Sequence, residues 1–314
     1  MIDTEIIKIL ADKYNITALA VERVTGGWSA DAYKITADKC DYFLKVYDKR
    51  KYTTVEWINR VDDYMPVFFW LCKNKLLREC TAFPVLTADG AYKCDSVEYL
   101  FILYDYIRGT TPGSEHLATY EQDALAKTVA LLHSHMREIP VSTTNITENF
   151  EVSFLDRLTA LPYSINAAFD KAFSMYADVI ENKVKVVVEL ANLLRTYPPE
   201  FVLCHTDLHG WNLIRFNRLM LVDWEGLKFA PAEADLFVIS PGFFFDYARE
   251  RFLNVYRQIR PGYTENIAAL EFYRLRRRLE DILAFAEGVL YNSLTENEQA
   301  VSLGYLKHEC SMLV

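Results

Sequence analysis

The chain has 314 residues, 51% hydrophobic and 25% charged, with only 11 Gly and 10 Pro. That composition supports a sizeable core and excludes a disordered or fibrous chain. A net charge of −9 argues against a nucleic-acid partner, which calls for a basic face, and suits a cationic substrate.

No apolar stretch approaches the roughly 20 residues that span a bilayer, so no membrane partner is expected. Met1 to Glu5 lack the basic and apolar regions of a signal peptide. Six cysteines (Cys40, Cys72, Cys80, Cys94, Cys204 and Cys310) are scattered without the close spacing of a zinc or redox pair. They read as reduced, mostly core thiols of a cytoplasmic protein. Cys204 reads as a small buried apolar residue rather than a nucleophile.

Ile6, Ile7, Leu10 and Tyr14 recur at helical spacing and predict an amphipathic helix over 3–14. Strand-like runs follow at 19–24 and 32–36, on either side of a turn holding Gly26 and Gly27. Such a turn lets backbone N–H groups approach a ligand closely, although most Gly-Gly pairs are plain hairpin turns. Tyr42 to Tyr47 forms a third strand with Lys45 inside it. An ammonium there needs a partner. Residues 54–72 predict a helix, with Val61, Met65 and Phe68 on its apolar side and Pro66 marking a kink or break.

A short strand near 83–86 and a longer one over 97–104 lie on either side of the turn signal Asp89–Gly90. Composition shifts at 105–113. An amphipathic helix is predicted over 116–138, whose His133 and His135 point to different faces and are structural. Residues 140–152 form a surface connection. Two helical pieces occupy 153–198, the second over 176–196, before Pro198–Pro199 stops it. Phe243 to Phe245 are packing residues, and helices near 246–258, 266–291 and 295–312 close the chain. On the second of these, Arg274, Arg276, Arg277 and Arg278 form a solvated face paired with Glu271, Glu280 and Asp281.

The most informative stretch is 204–225. His205-Thr206-Asp207-Leu208-His209-Gly210-Trp211-Asn212 has the His-x-Asp-x4-Asn spacing of a kinase catalytic loop. In that pattern the Asp accepts the proton of an attacking hydroxyl, and the Asn turns back to hold Mg²⁺. A short apolar run, Leu219 to Val222, then delivers Asp223 as a second metal carboxylate.

Together with Leu221-Val222-Asp223-Trp224-Glu225, this stretch resembles the aminoglycoside phosphotransferase family, which shares the protein kinase-like fold with choline kinases. The family form begins His-Gly-Asp, so Thr206 departs from it. The resemblance implies an α+β, two-lobed protein kinase-like fold, with an antiparallel-sheet small lobe over 1–104 and a linker over 105–108. A mainly helical large lobe follows over 109–314. It implies ATP (or GTP) and Mg²⁺ as cofactors. Asp207 would be the catalytic base, with His205 holding the loop by hydrogen bonds, and Asn212 and Asp223 the metal ligands. Lys45 would contact the inner phosphates, and the Gly26–Gly27 turn would cover them. A helix carboxylate would pair with Lys45, with Glu56 chosen from Glu56, Asp62 and Asp63. Backbone groups from Asp105 to Ile107 would bind adenine. Glu225 stays open between a metal-site carboxylate and a plain loop residue, and Asp235 is structural.

For the acceptor, the family's namesake aminoglycosides and aminocyclitols lead, and the opening and helix pattern look most like the spectinomycin-phosphorylating branch. A metabolic kinase for choline, homoserine or a sugar-like alcohol is the alternative. A non-catalytic protein on a kinase-like fold is the third reading.

Overall fold

The computed structural model describes residues 2–24, 30–73, 75–134, 139, 142–162, 166–291 and 295–314. In chain order these form α1 (Ile2–Tyr14), β1 (Ala18–Val24), β2 (Asp31–Ala37), β3 (Asp41–Asp48), α2 (Tyr52–Leu71) and α3 (Lys75–Arg78). β4 (Cys94–Asp95), β5 (Tyr99–Asp105), α4 (Thr119–Ser134), α5 (Phe154–Thr159), α6 (Ala167–Ala172) and α7 (Ala177–Thr196) follow. Four short strands come next: β6 (Phe201–Cys204), β7 (Leu213–Arg215), β8 (Leu219–Leu221) and β9 (Lys228–Pro231). Helices α8 (Glu233–Leu236), α9 (Arg249–Ile259), α10 (Ile267–Tyr291) and α11 (Glu296–Ser311) complete the chain. Among the described residues no helix is long and apolar enough to cross a membrane.

The chain divides into two compact units. The first comprises Met1–Thr147, Leu203–Phe229 and Glu250–Pro261; the second holds Glu148–Val202, Ala230–Arg249 and Gly262–Val314. The His205–Asn212 stretch thus belongs to the unit that holds the sheet.

The first unit is built on a five-stranded sheet of order β1-β2-β3-β5-β4, antiparallel at every pairing. Alternation along β3 sends Leu44 and Val46 to one face, where they join Ile6, Leu10 and Tyr14 of α1 in a buried cluster. Lys45 and Tyr47 therefore point to the opposite face. β7 and β8 form a hairpin directly after the His205–Asn212 loop, with Leu213 paired to Leu221.

Three expectations need correction here. Helix α2 runs unbroken over 20 residues with Pro66 inside it. An interior proline costs ~3 kcal/mol, but Val61, Tyr64, Met65, Val67 and Phe68 are all buried, and that packing outweighs it. The segment 83–86 is not a strand: it makes a single antiparallel bridge, Pro84 to Tyr104, closed by the Val85 N–H on the Leu103 carbonyl and the Asp105 N–H on the Phe83 carbonyl. The predicted helix over 116–138 starts at Thr119, and its described part ends at Ser134; His135 lies outside the described residues.

The second unit is helical. Phe150 packs edge-on against Phe201 and Phe272 at its centre. Buried Glu148 accepts hydrogen bonds from the Phe150 N–H and the Tyr273 hydroxyl. The basic run of α10 is paired as expected at Arg274–Glu271, Arg276–Glu280 and Arg277–Asp281. Arg278 differs: it is buried and bonds Glu309 of α11 and the carbonyl of Gly242 instead of facing solvent. Helix α11 starts at a capping box between Thr295 and Glu298.

Candidate active site

Lys45 stands on the face of β3 that turns away from α1. Its Nζ lies 2.8 Å from Asp223 Oδ1 and 2.5 Å from Glu225 Oε1. The Tyr47 hydroxyl, two residues along the strand, donates to the same Glu225 oxygen. Burial alone would lower the Lys45 pKa, but the two carboxylates outweigh it and hold the ammonium above its ordinary value. Burial, followed by the Glu225 charge, raises the Tyr47 phenol well above its usual range, so it stays a donor.

The second component is the loop after β6. His205 is fully buried, and its ring is held at both nitrogens. Nε2 lies 3.0 Å from the Val222 carbonyl, and Nδ1 accepts from the Asp207 N–H at 3.3 Å. A carbonyl can only accept, so both bonds are satisfied by the neutral Nε2–H tautomer. Asp207 follows with a side chain 36% exposed, open to a reactant. Asn212 closes the loop: its Nδ2 donates to the Asp207 carbonyl and to Asp207 Oδ2, each at 2.9 Å. His209 Nε2 lies 3.3 Å from that same carboxylate oxygen.

The third component begins where β8 ends. The Val222 N–H donates to the Asn212 carbonyl at 2.9 Å, tying the two loops together. Asp223 is left-handed, with φ 68°, a conformation that Asp tolerates better than most residues. This turns the chain into a 3-10 turn over Trp224–Gly226. The Trp224 indole is buried, stacked on Phe68 of α2 at 5.1 Å and edge-on to His205 at 4.8 Å. Its Nε1 donates to Thr81 Oγ1 at 2.7 Å. Asp223 and Glu225 flank this anchored residue, and both reach Lys45.

Lys45, His205, Asp207, Asn212 and Asp223 therefore meet in one compact unit. Gly26 and Gly27 lie outside the described residues, as does the side chain of Glu56 on α2. Asp62 and Asp63, the other helix candidates, are engaged elsewhere: Asp62 with Lys93 at 2.7 Å and Asp63 with Asn145 at 2.6 Å. Asp105 ends β5, and its N–H donates to the Phe83 carbonyl at 2.9 Å, which takes that donor from a ligand. Ile107 follows two residues later, half-buried. Sequence reasoning did not find Glu225 as a partner of Lys45, nor Tyr47 behind it. The signal was an acidic residue two positions past Asp223, together with the strand alternation that puts Tyr47 beside Lys45.

The donor set suits a divalent cation of the Mg²⁺ type. Asn212 offers an amide oxygen, and Asp223 and Glu225 offer carboxylate oxygens, all hard ligands. The engagement of Asn212 Nδ2 by Asp207 fixes which end of that amide is the acceptor.

No curated protein matches the chain by sequence. In structure it is similar to spectinomycin phosphotransferase, solved with ADP and spectinomycin, at a TM-score of 0.75 and 18% identity over 99% of this chain and 97% of that one. It is also similar to the microcompartment-associated aminopropanol kinase (TM-score 0.68, 15% identity, 99% and 96% covered). A choline kinase from Streptococcus pneumoniae is similar at a TM-score of 0.62 and 17% identity, with 99% of each chain covered. The fold is that of the protein kinase-like enzymes. The sequence model described as the phosphotransferase enzyme family matches residues 20–273. That span is most of the chain, which therefore belongs to the phosphotransferase enzyme family.

Proposed function

We propose that this phosphotransferase moves the γ-phosphoryl group of ATP to a hydroxyl of a small amine-bearing molecule. One observation carries the reading. Lys45 is held by the Asp223 and Glu225 carboxylates, and the loop tied to them presents the bonded pair Asp207 and Asn212. Phosphoryl transfer has a loose transition state, so the protein mainly positions reactants and offsets charge.

In this reading Asp207 orients the acceptor hydroxyl and takes its proton. Asn212 and Asp223 would hold Mg²⁺, which when bound neutralises charge on the transferring phosphates. Lys45 anchors the inner phosphates, and the Gly26–Gly27 turn covers them. The Asp105 carbonyl and the Ile107 N–H bind the adenine edge. His205 holds the loop and takes no proton from the reactant, because its Nδ1 already accepts from the Asp207 N–H. A cytoplasmic site of action is part of the reading, supported by six cysteines that form no disulfide among the described residues.

An aminoglycoside or aminocyclitol is the leading acceptor class. A smaller amino alcohol is the second reading, because choline and aminopropanol kinases stand beside spectinomycin phosphotransferase among the similar structures. Spectinomycin, choline and aminopropanol share a basic or quaternary nitrogen and a hydroxyl, and the acidic chain suits such cations.

The test is ADP release with Mg²⁺ and ATP or GTP against aminocyclitols, aminoglycosides, choline, aminopropanol, homoserine and sugars, with Asp207→Asn as the control. Stimulation by one class, reduced about 10²- to 10⁴-fold in the variant, is expected for loss of a general base. Equal rates in both proteins would remove Asp207 from the mechanism. Failure of the wild-type protein to bind nucleotide would move the non-catalytic reading forward.

A further inference from the structure

Thr206 has φ 68°, in the left-handed region that β-branched residues rarely enter. In the resembled family this position is a glycine, for which the conformation is free. A strained backbone persists only where its surroundings hold it, and such strain clusters at functional sites. The Thr206 surroundings are specific. Oγ1 donates to the Gly226 carbonyl at 2.8 Å. A Cβ on Gly226 would sit 2.5 Å from Thr206 Oγ1 and 2.8 Å from the His205 carbonyl, so only glycine allows this approach.

The bond closes a bracket. The segment Asp223 to Glu225 carries both carboxylates that hold Lys45. Its leading end is fixed through Val222, by the His205 ring and by the Asn212 carbonyl. Its trailing end is held through Gly226, by the Thr206 hydroxyl.

We infer that Thr206 is a positioning residue whose hydroxyl, through Gly226, sets the Asp223–Glu225 segment for binding of the magnesium nucleotide. The inference rests on the kinase reading above and assigns the work to the hydroxyl, not to the bulk of the side chain. Thr206→Gly separates the two roles, because it relieves the strained φ while removing the bond.

The experiment measures Mg²⁺–ATP affinity and thermal midpoint in the full chain for wild type, Thr206→Gly and Thr206→Ser. Thr206→Gly should melt no lower than wild type yet bind Mg²⁺–ATP about fivefold or more weakly, as expected for one lost hydrogen bond. Thr206→Ser keeps the hydroxyl and should bind within about twofold of wild type on the same scale. A merely structural role would shift the midpoint and leave the dissociation constant alone. Wild-type affinity in Thr206→Gly overturns the inference, as does a Ser variant as weak as the Gly variant. If wild type binds no Mg²⁺–ATP at all, the kinase reading itself falls, and this inference with it.

Discussion

Glu225 Oε1 lies 2.5 Å from Lys45 Nζ, on a side chain only 6% exposed. The lysine expected to pair with a helix carboxylate is thus met by one that follows the proposed metal aspartate, backed by Tyr47. On the proposed reading, in which Lys45 anchors the inner phosphates, removing this partner should weaken that grip. Glu225→Gln should raise the KM for ATP roughly tenfold, the scale of a charge-assisted hydrogen bond. Tyr47→Phe, acting through Glu225, should produce a smaller rise. Steady-state kinetics with ATP varied checks this. If Glu56→Gln alone reproduced the effect, the helix carboxylate would be the partner in the working enzyme.

Arg215, on β7, joins the β7–β8 hairpin to the segment leading into α4. It reaches Glu121 at 2.8 Å and Glu115 at 2.5 Å, and its backbone exchanges two hydrogen bonds with Thr110. Glu121 is 3% exposed, so Arg215→Ala would strand a buried charge, at about 3 kcal/mol or more. The thermal midpoint should drop by roughly 5–10 °C. Arg215→Ala combined with Glu121→Gln should recover part of that loss, because no unpaired charge remains. A midpoint unchanged in the single variant would show that the network adds nothing.

Asp48 closes β3, and hydrogen bonds from Arg50 hold its carboxyl down at about 2. A carboxyl with a folded pKa below its unfolded value of about 4 adds stability above the latter, and that contribution is lost as pH falls. The loss should run from about pH 4 to pH 2. Unfolding by denaturant across that range should show a shallower pH slope in Asp48→Asn. An identical slope would mean that other carboxylates set the acid limit.

Burial pushes the Cys72 and Cys310 thiols up to about 12, whereas Cys40 is exposed. The thiolate is the reactive form. Iodoacetamide at pH 8 should therefore alkylate Cys40 in the folded protein and spare Cys72 and Cys310 until denaturant is added. Peptide mass spectrometry reads the order directly.

The parts legible in the sequence were those whose chemistry is contiguous. The His205 to Asn212 spacing and the strand delivering Asp223 lie within twenty residues, and the Val222 N–H joins the two directly at the Asn212 carbonyl. Lys45 was legible because a cation inside an apolar strand is costly unless it is met. Its partner was not, because Glu56, Asp62, Asp63 and Glu225 are carboxylates that nothing in their local sequence tells apart, and only the fold brings one of them to the strand. The break expected at Pro66 is absent for the opposite reason: the local rule was right about the lost hydrogen bond but took no account of the apolar face around it. The left-handed φ of Thr206 left no trace in residue type, since threonine is among the last residues one would place there.

Trp224 stands between Asp223 and Glu225, pinned by Phe68, His205 and Thr81. An indole so placed is a built-in optical probe. Its emission depends on the field of the two carboxylates beside it, and that field changes when a cation or a phosphate enters. With Trp224 replaced by Phe, any nucleotide-induced change in tryptophan fluorescence that vanished would have come from this ring, and titrating the remaining signal would report on the other four tryptophans. On the proposed reading the site would thus carry its own reporter, readable without a label and without knowledge of the acceptor.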